Sequence, residues 1–259
     1  MAKTILITGS TDGIGLLTAK KLAAAGHSVL LHGRNQSKLS AAAEEVGGAV
    51  RTYDADLSNL AAVEALAEAI RADHDRLDVL INNAGVLKAP KPTLENGLDI
   101  RFVVNTFAPY LLTRRLLPVM PKNGRVVNLS SAAQARVDLD AMEGRRPLDD
   151  MSAYAQSKLA ITIWTRELAR TLNDGPVVVA VNPGSLLASK MVKQGFGVAG
   201  NDLAIGADVL CDAALGERFA TASGAYFDND AGRFGEPHAA ALAPDHAAEV
   251  MRIVSRLAQ

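Results

Sequence analysis

Five short runs of valine, leucine and isoleucine recur along the chain, with stretches of helical period between them. This alternation constrains the fold more than any other feature. The runs are TILIT from Thr4, SVLLH from Ser28, VLI from Val79, RVVNL from Arg125 and VVVAV from Val177. Strands that are apolar without a break are buried on both faces, as in a parallel sheet lying between helices. Helical patterns run from Ile14 to Ala25, Ser37 to Val46, Leu60 to Ala72, Leu94 to Val119 and Ala153 to Leu172. Strand, helix, strand repetition calls for right-handed crossovers and so for an α/β fold: a doubly wound parallel sheet of about seven strands with helices on both faces. VRTYDADL from Val50 gives a weaker third strand, GAYFD from Gly224 a last one, and Asp245 to Leu257 a closing helix. Gly26 stands where a left-handed helix cap is expected, and Pro109 removes one backbone donor from the 94–119 pattern and should bend it. No repeat, low-complexity tract or linker divides the chain, so residues 1–259 are expected to form a single domain.

Composition narrows the partners. Hydrophobic residues make up 49% and charged residues 21%, enough to fill a core, so disorder is not expected. A formal net charge of -1 gives no electrostatic reason for nucleic acid or an anionic membrane as partner, which leaves small molecules. Cys211 is the one cysteine and excludes an intramolecular disulfide; it sits in an apolar pattern as a structural thiol, and the cytoplasm is the expected compartment. The apolar run in MAKTILITGS is too short for a signal-peptide core, and no stretch approaches the roughly eighteen apolar residues that cross a bilayer. His27, His32, His74, His238 and His246 show no metal-ligand spacing with one another or with Cys211, so no metal is expected.

Directly after the first run come Thr8, Gly9, Ser10, Thr11, Asp12, Gly13, Ile14 and Gly15, and a helix begins within this turn. Gly9 permits the tight turn, Gly13 lets backbone approach a pyrophosphate, and Gly15 lets helix and strand pack closely. Backbone N–H groups and the helix dipole then hold phosphate. The spacing is G-x3-G-x-G, not the common G-x-G-x-x-G fingerprint, so the turn alone also fits an ordinary strand-to-helix connection. At the end of the second run Gly33 stands where an NAD-preferring fold places an acidic residue, and Arg34 follows it with a planar fork suited to a 2′-phosphate. NADP(H) is therefore expected in preference to NAD(H), in a dinucleotide-binding and catalytic domain of the Rossmann type.

The segment SAYAQSKLA sets Tyr154, Ser157 and Lys158 in a helical pattern, and residues four apart share a helix face. A phenol near pKa ~10 is a poor acid and a worse base at neutral pH, but a neighbouring cation favours its phenolate and brings its pKa toward the operating range. That tuning suits proton transfer to a carbonyl oxygen. Ser131 ends RVVNLSS, at the carboxyl edge that borders the ligand crevice of a parallel sheet, where its hydroxyl can hold the substrate oxygen beside Tyr154. Taken singly, these residues read as a solvated tyrosine, a surface lysine and a strand-end serine. Their conjunction with the glycine turn points to chemistry.

These segments together, TGSTDGIG at Thr8, DADL at Asp54, NNAG at Asn82, VVN ending at Asn105, VVNLSS ending at Ser131, YAQSK at Tyr154 and NPG at Asn182, resemble the short-chain dehydrogenase/reductase family from Lys3 to about Pro183. The resemblance implies that Asn105 completes a catalytic tetrad with Ser131, Tyr154 and Lys158 and anchors a water in the proton relay from Lys158 to solvent. It also implies that Asp56 and Leu57 border the adenine, Asn83, Ala84 and Gly85 the cofactor's middle, and Pro183 and Gly184 the nicotinamide, whose ribose Lys158 binds. Asn82 is read as mainly structural. Asp12 occupies a place where many NADPH-binding members carry a basic residue. Where members carry a threonine that bonds the carboxamide, this chain reads SLLASKM, and Ser189 is the available substitute.

SAYAQSKLAITIWTRELARTL most resembles the branch that includes retinol dehydrogenases and similar carbonyl reductases. The twenty-two residues from Ala132 to Ala153 are read as a solvated loop, charged at Arg136, Asp138, Asp140, Glu143, Arg145, Arg146, Asp149 and Asp150. Leu186, Leu187, Met191, Val192 and Phe196 are expected to form an apolar lid, suggesting a hydrophobic or aromatic carbonyl. Pairing of the fourth and fifth helices, common in the family, implies a homodimer or homotetramer; Ile161, Ile163 and Trp164 fit part of its surface and fit core packing equally well. The function expected is NADP(H)-dependent interconversion of an aldehyde or ketone and its alcohol. A catalytically silent dinucleotide-binding sensor or partner-binding module is the alternative, and a sugar-nucleotide epimerase or dehydratase ranks third. The complete four-residue set argues against the silent module. The glycine spacing and the shorter chain argue against the epimerase.

Overall fold

The computed structural model describes residues 1–172, 174–188, 197 and 199–259. Each apolar run becomes a strand of one eight-stranded sheet in the order β3-β2-β1-β4-β5-β6-β7-β8. The strands are β1 (Thr4–Ile7), β2 (Ser28–Gly33), β3 (Val50–Asp54), β4 (Val79–Asn82), β5 (Arg125–Leu129), β6 (Val177–Asn182), β7 (Tyr226–Asp228) and β8 (Arg233–Gly235). All neighbours pair in parallel except β7 and β8. The helices are α1 (Gly13–Ala24), α2 (Gln36–Val46), α3 (Leu60–Asp73), α4 (Ile100–Phe102), α5 (Ala108–Leu116), α6 (Leu139–Met142), α7 (Asp150–Thr171), α8 (Leu203–Leu215) and α9 (Pro244–Leu257).

The unbroken apolar character of the central strands follows from two cores. Leu6, Leu30, Leu80, Val126 and Val178 enter one with side chains of α3, α5, α7 and α9. Their neighbours Ile5, Ile7, Val29, Leu31, Val79, Ile81, Val127 and Val179 enter the other with α1, α2 and α8. Successive side chains point to opposite faces, so a strand covered on both sides is apolar at every position. Each fully buried leucine, isoleucine or valine contributes about 1.5–3 kcal/mol of transfer free energy. The chain winds outward from β1 in both directions, so a crevice opens at the carboxyl ends of β1 and β4.

Several expectations need correction. The sheet has eight strands, not about seven: β8 is a three-residue antiparallel edge whose residues are all exposed, held by Phe234 ring contacts to Phe219 and Phe227 at 5.2 and 5.1 Å. The helix expected from Leu94 begins at Ile100, because Gly97 at φ +82 and the Leu94–Leu98 turn precede it and Asp99 caps it through the Arg101 N–H. Val103–Phe107 then forms a π-helical turn before α5. Residues 132–153 are not a solvated loop: Val137, Ala141 and Met142 are buried, Asp138 caps α6, and Asp149 caps α7. Of the two places open to Ile161, Ile163 and Trp164, they take the core, with Val250, Ile253 and Val254 of α9. Gly26 does take the left-handed conformation, at φ +86.

Candidate active site

A cavity of about 390 Å³ lies in the crevice, lined at one end by the turn after β1 and at the other by Tyr154 and Lys158. Gly9, Thr11, Asp12, Gly13, Ile14 and Gly15 all wall it. Gly9 has φ +65 and a side chain there would bring its Cβ to 2.9 Å from the Ala84 Cα; at Gly15 the Cβ would stand 2.6 Å from the Gly9 carbonyl oxygen. Neither position admits another residue without movement of backbone. The Thr8 hydroxyl accepts from the N–H groups of Asn83 and Ala84, both at 3.0 Å, and the Asn83 amide donates to the carbonyls of Thr8 and Gly9 at 2.8 and 3.0 Å. Asp12 caps α1, so the helix N-terminus and its partial positive charge face the cavity.

Two residues that sequence reasoning passed over, Thr8 and His32, hold this turn. His32 is 2% exposed at the end of β2. Its Nδ1 accepts from the Gly9 N–H at 3.1 Å, so Nε2, 3.2 Å from the Ala55 carbonyl, carries the proton. Burial pushes its pKa down to about 4, which keeps the ring in the neutral form this geometry requires. A polar side chain inside SVLLH was the available signal. Ser10, by contrast, does not reach the cavity: it is fully buried and its hydroxyl accepts from the His32 N–H at 2.9 Å.

Beyond the ends of β2 and β3, Arg34 is exposed and lines the cavity with Asp56 and Leu57. The Asp56 carboxylate accepts from the Ser58 N–H and hydroxyl at 2.9 and 2.8 Å. A Cβ at Gly33 would meet the Thr11 methyl at 2.6 Å, so an acidic side chain there requires Thr11 to turn away.

At the other end α7 carries Tyr154 and Lys158, one turn apart. Arg101 is fully buried. It grips Asp99 through Nε at 2.8 Å and Nη2 at 2.5 Å, and its Nη1 bonds Asp150. The guanidinium thus ties the first turn of α7 to α4, one turn before Tyr154 and one turn before Asn105. Lys158 is 4% exposed, donates to the Leu129 carbonyl at 2.7 Å, and has its Nζ 5.7 Å from the centre of the Tyr154 ring. Burial pushes the lysine down to about 8. Burial pushes the Tyr154 phenol up, against a smaller lowering by the Ser131 hydroxyl that faces it. The net direction is upward, opposite to the expectation, and loss of hydration sets it.

Asn105 and Ser131 do not wall the cavity. Asn105 lies in the π-helical turn, fully buried. Its Oδ1 accepts from the Val86 N–H at 2.8 Å, and its amide donates to the Val86 carbonyl and the Ser157 hydroxyl, both at 2.9 Å. Asn82 is structural, donating to Thr113 at 3.1 Å and Asn128 at 2.8 Å behind β4.

Gly85, Pro183 and Gly184 also line the cavity, with Val86, Ile100, Val104 and Leu187 as apolar walls that sequence reading left out, Leu187 excepted. The segment after β6 is clasped by the turn after β7. Asp230 accepts from the Asn182 amide at 2.9 Å and from the Ser185 N–H and hydroxyl at 2.8 and 2.6 Å, while Asn229 donates to the Pro183 carbonyl at 3.0 Å. Ser189, Met191, Val192 and Phe196 lie outside the described residues. Among the described residues no His, Cys, Asp and Glu group could hold a metal ion, and no helix is long and apolar enough to cross a membrane. A tight turn with no room for a side chain at Gly9 or Gly15, a helix N-terminus and Arg34 together fit a dinucleotide phosphate chain.

Comparison with known proteins gives the same picture. The profile described as short chain dehydrogenase matches residues 3–196. Human retinol dehydrogenase 13 is 34% identical over 251 residues, covering 87% of this chain and 76% of that protein. The chain spans 58–64% of the mouse form of that protein and of the bovine and mouse retinol dehydrogenase 12 proteins. Among solved structures, an uncharacterized protein from Mycobacterium paratuberculosis matches with a TM-score of 0.83 and 29% identity, over 99% of this chain and 93% of that one. The landomycin C-6 ketoreductase with bound NADP and rabelomycin matches with a TM-score of 0.69 and 31% identity, over 88% and 94%.

Proposed function

The chain belongs to the short chain dehydrogenase family, and on that premise we propose that it interconverts a neutral, apolar aldehyde or ketone and its alcohol with NADP(H), through Ser131, Tyr154, Lys158 and Asn105. The observation that carries the reading is the placing of Tyr154 and Lys158 in the same cavity as a phosphate-binding turn. The bound cofactor supplies the hydride for reduction. Tyr154, kept protonated by burial, donates its proton to the carbonyl oxygen. Ser131, facing that hydroxyl, holds the same oxygen and stabilises the phenolate left behind. Lys158, titrating near 8, restores the proton, and Asn105 anchors the water that links the lysine to solvent.

Arg34 takes the 2′-phosphate, each charge-assisted bond contributing ~1.5–3 kcal/mol. Val86, Ile100, Val104 and Leu187 surround the substrate end, where Lys158 is the charged side chain among the described lining residues, so a neutral apolar carbonyl suits it. The names of relatives, retinol dehydrogenase and ketoreductase, fit such substrates. The test is consumption of NADPH and NADH against a panel of aldehydes, ketones and quinones. Turnover of a hydrophobic or aromatic carbonyl, with kcat/KM at least about tenfold higher for NADPH, is expected. No oxidation of either cofactor by any member rejects the activity, and equal kcat/KM rejects the cofactor preference.

A further inference from the structure

Ser131 lies just beyond the sheet: the ladder of β5 with β6 ends at Leu129 and Val181, and the Ser130 N–H makes a last bond to the Val181 carbonyl at 2.8 Å. The Ser131 carbonyl has instead two side-chain donors. Tyr226 of β7, 5% exposed, donates its hydroxyl at 3.1 Å, and the Gln134 amide donates at 2.9 Å. Gln134 is itself fixed, giving a second bond to the Ser130 hydroxyl at 3.3 Å and accepting from the His238 N–H at 3.0 Å. Both lone pairs of the Ser131 carbonyl are thereby engaged. Its hydroxyl accepts from the Ala133 N–H at 3.1 Å, and it stands near enough to the Tyr154 hydroxyl to favour the phenolate.

We propose that Tyr226 and Gln134 are positioning residues that pin the Ser131 peptide through its carbonyl and so keep the Ser131 hydroxyl turned toward Tyr154. The inference rests on the reading of Ser131 and Tyr154 given above. Neither residue touches the reacting atoms; they act through the serine. Tyr226 is suited to the part because burial, with Asp228 and Asp230 nearby, pushes its pKa up and preserves it as a donor. Without these two bonds the 130–134 turn is free to rotate the serine away, and the Tyr154 phenolate loses a donor.

The test is titration of the four tyrosines by 13Cζ NMR in protein loaded with NADP+, the Tyr154 signal being assigned by its loss in Tyr154→Phe. Wild type is compared with Ser131→Ala, Tyr226→Phe, Gln134→Leu and the last two combined, with Tm recorded for each. Tyr226→Phe keeps the ring in its buried place. The Tyr154 midpoint is expected to rise by about 0.5 pH unit in each single variant and by about 1 in the double, approaching Ser131→Ala, as loss of one neutral hydrogen bond implies. A double variant whose Tm falls while its midpoint stays at the wild-type value, with Ser131→Ala raised, overturns the positioning role alone. A midpoint unmoved in Ser131→Ala overturns the reading of the serine, and this inference with it.

Discussion

At the phosphate end of the cavity Gly9, Asn83, Thr8 and His32 are joined by short hydrogen bonds, and each ring nitrogen of the one buried base has a partner. At the reacting end Lys158 is a buried cation whose bond is to a carbonyl, and Tyr154 is a phenol whose ionisation burial opposes. The buried side chains that hold the first end are neutral and hydrogen-bonded; the second holds in Lys158 a charge whose burial costs stability. Under the proposed function the difference has a reason: a binding turn works by being rigid, whereas a proton relay needs groups poised between two states, and perturbed pKa values gather where chemistry is done.

Lys158→Met breaks this contrast most strongly. The fall from 10.5 to about 8 corresponds to about 3 kcal/mol of destabilisation. Because the folded pKa is depressed, that cost is complete below pH 8 and disappears as pH rises toward 10.5. The variant should therefore unfold at higher denaturant than wild type at pH 7, with the gain shrinking above pH 8, while kcat falls ~100-fold or more and NADPH affinity drops. A variant no more stable than wild type contradicts the strained reacting end.

His32→Gln tests the other end. Here too the folded pKa lies below the unfolded one, about 4 against 6.5, so the neutral ring supports the fold above pH 6.5 and its support is lost as pH falls to 4. Wild type should lose about 3 kcal/mol more than the variant between pH 7 and 4, read from urea unfolding at each pH. Parallel pH curves contradict the neutral clamp. Smaller again is Arg34→Ala, which removes one or two charge-assisted bonds and should weaken NADPH ten- to a hundredfold by ~1.5–3 kcal/mol while leaving NADH within about twofold. Equal losses for both cofactors would show that Arg34 does not read the 2′-phosphate.

The two ends also differed in how plainly the sequence showed them. The glycine turn was legible because steric exclusion at Gly9 and Gly15 leaves one residue type possible, and Tyr154 with Lys158 because helical spacing places them on one face. The supports were hidden wherever partners are distant in sequence. His32 bonds residues 23 positions away on either side, and Asp150 and Glu143, which read as loop charges, pair with Arg101 and Arg256. Leu94 and Leu98 mimicked a helical stripe although Gly97 turns the chain between them. The upward direction of the Tyr154 pKa was hidden too, because it is set by burial, which the sequence does not display.

The central claim is that the Tyr154 hydroxyl transfers the proton while the turn after β1 binds the cofactor independently of it. It is tested most directly by Tyr154→Phe, measured for NADPH affinity by fluorescence titration and for turnover with the best carbonyl of the panel. The dissociation constant should stay within about threefold of wild type while kcat falls ~100- to 10,000-fold, the usual range for loss of a general acid. A variant that retains more than about a tenth of wild-type kcat, with NADPH bound normally, contradicts the assignment of the proton to Tyr154.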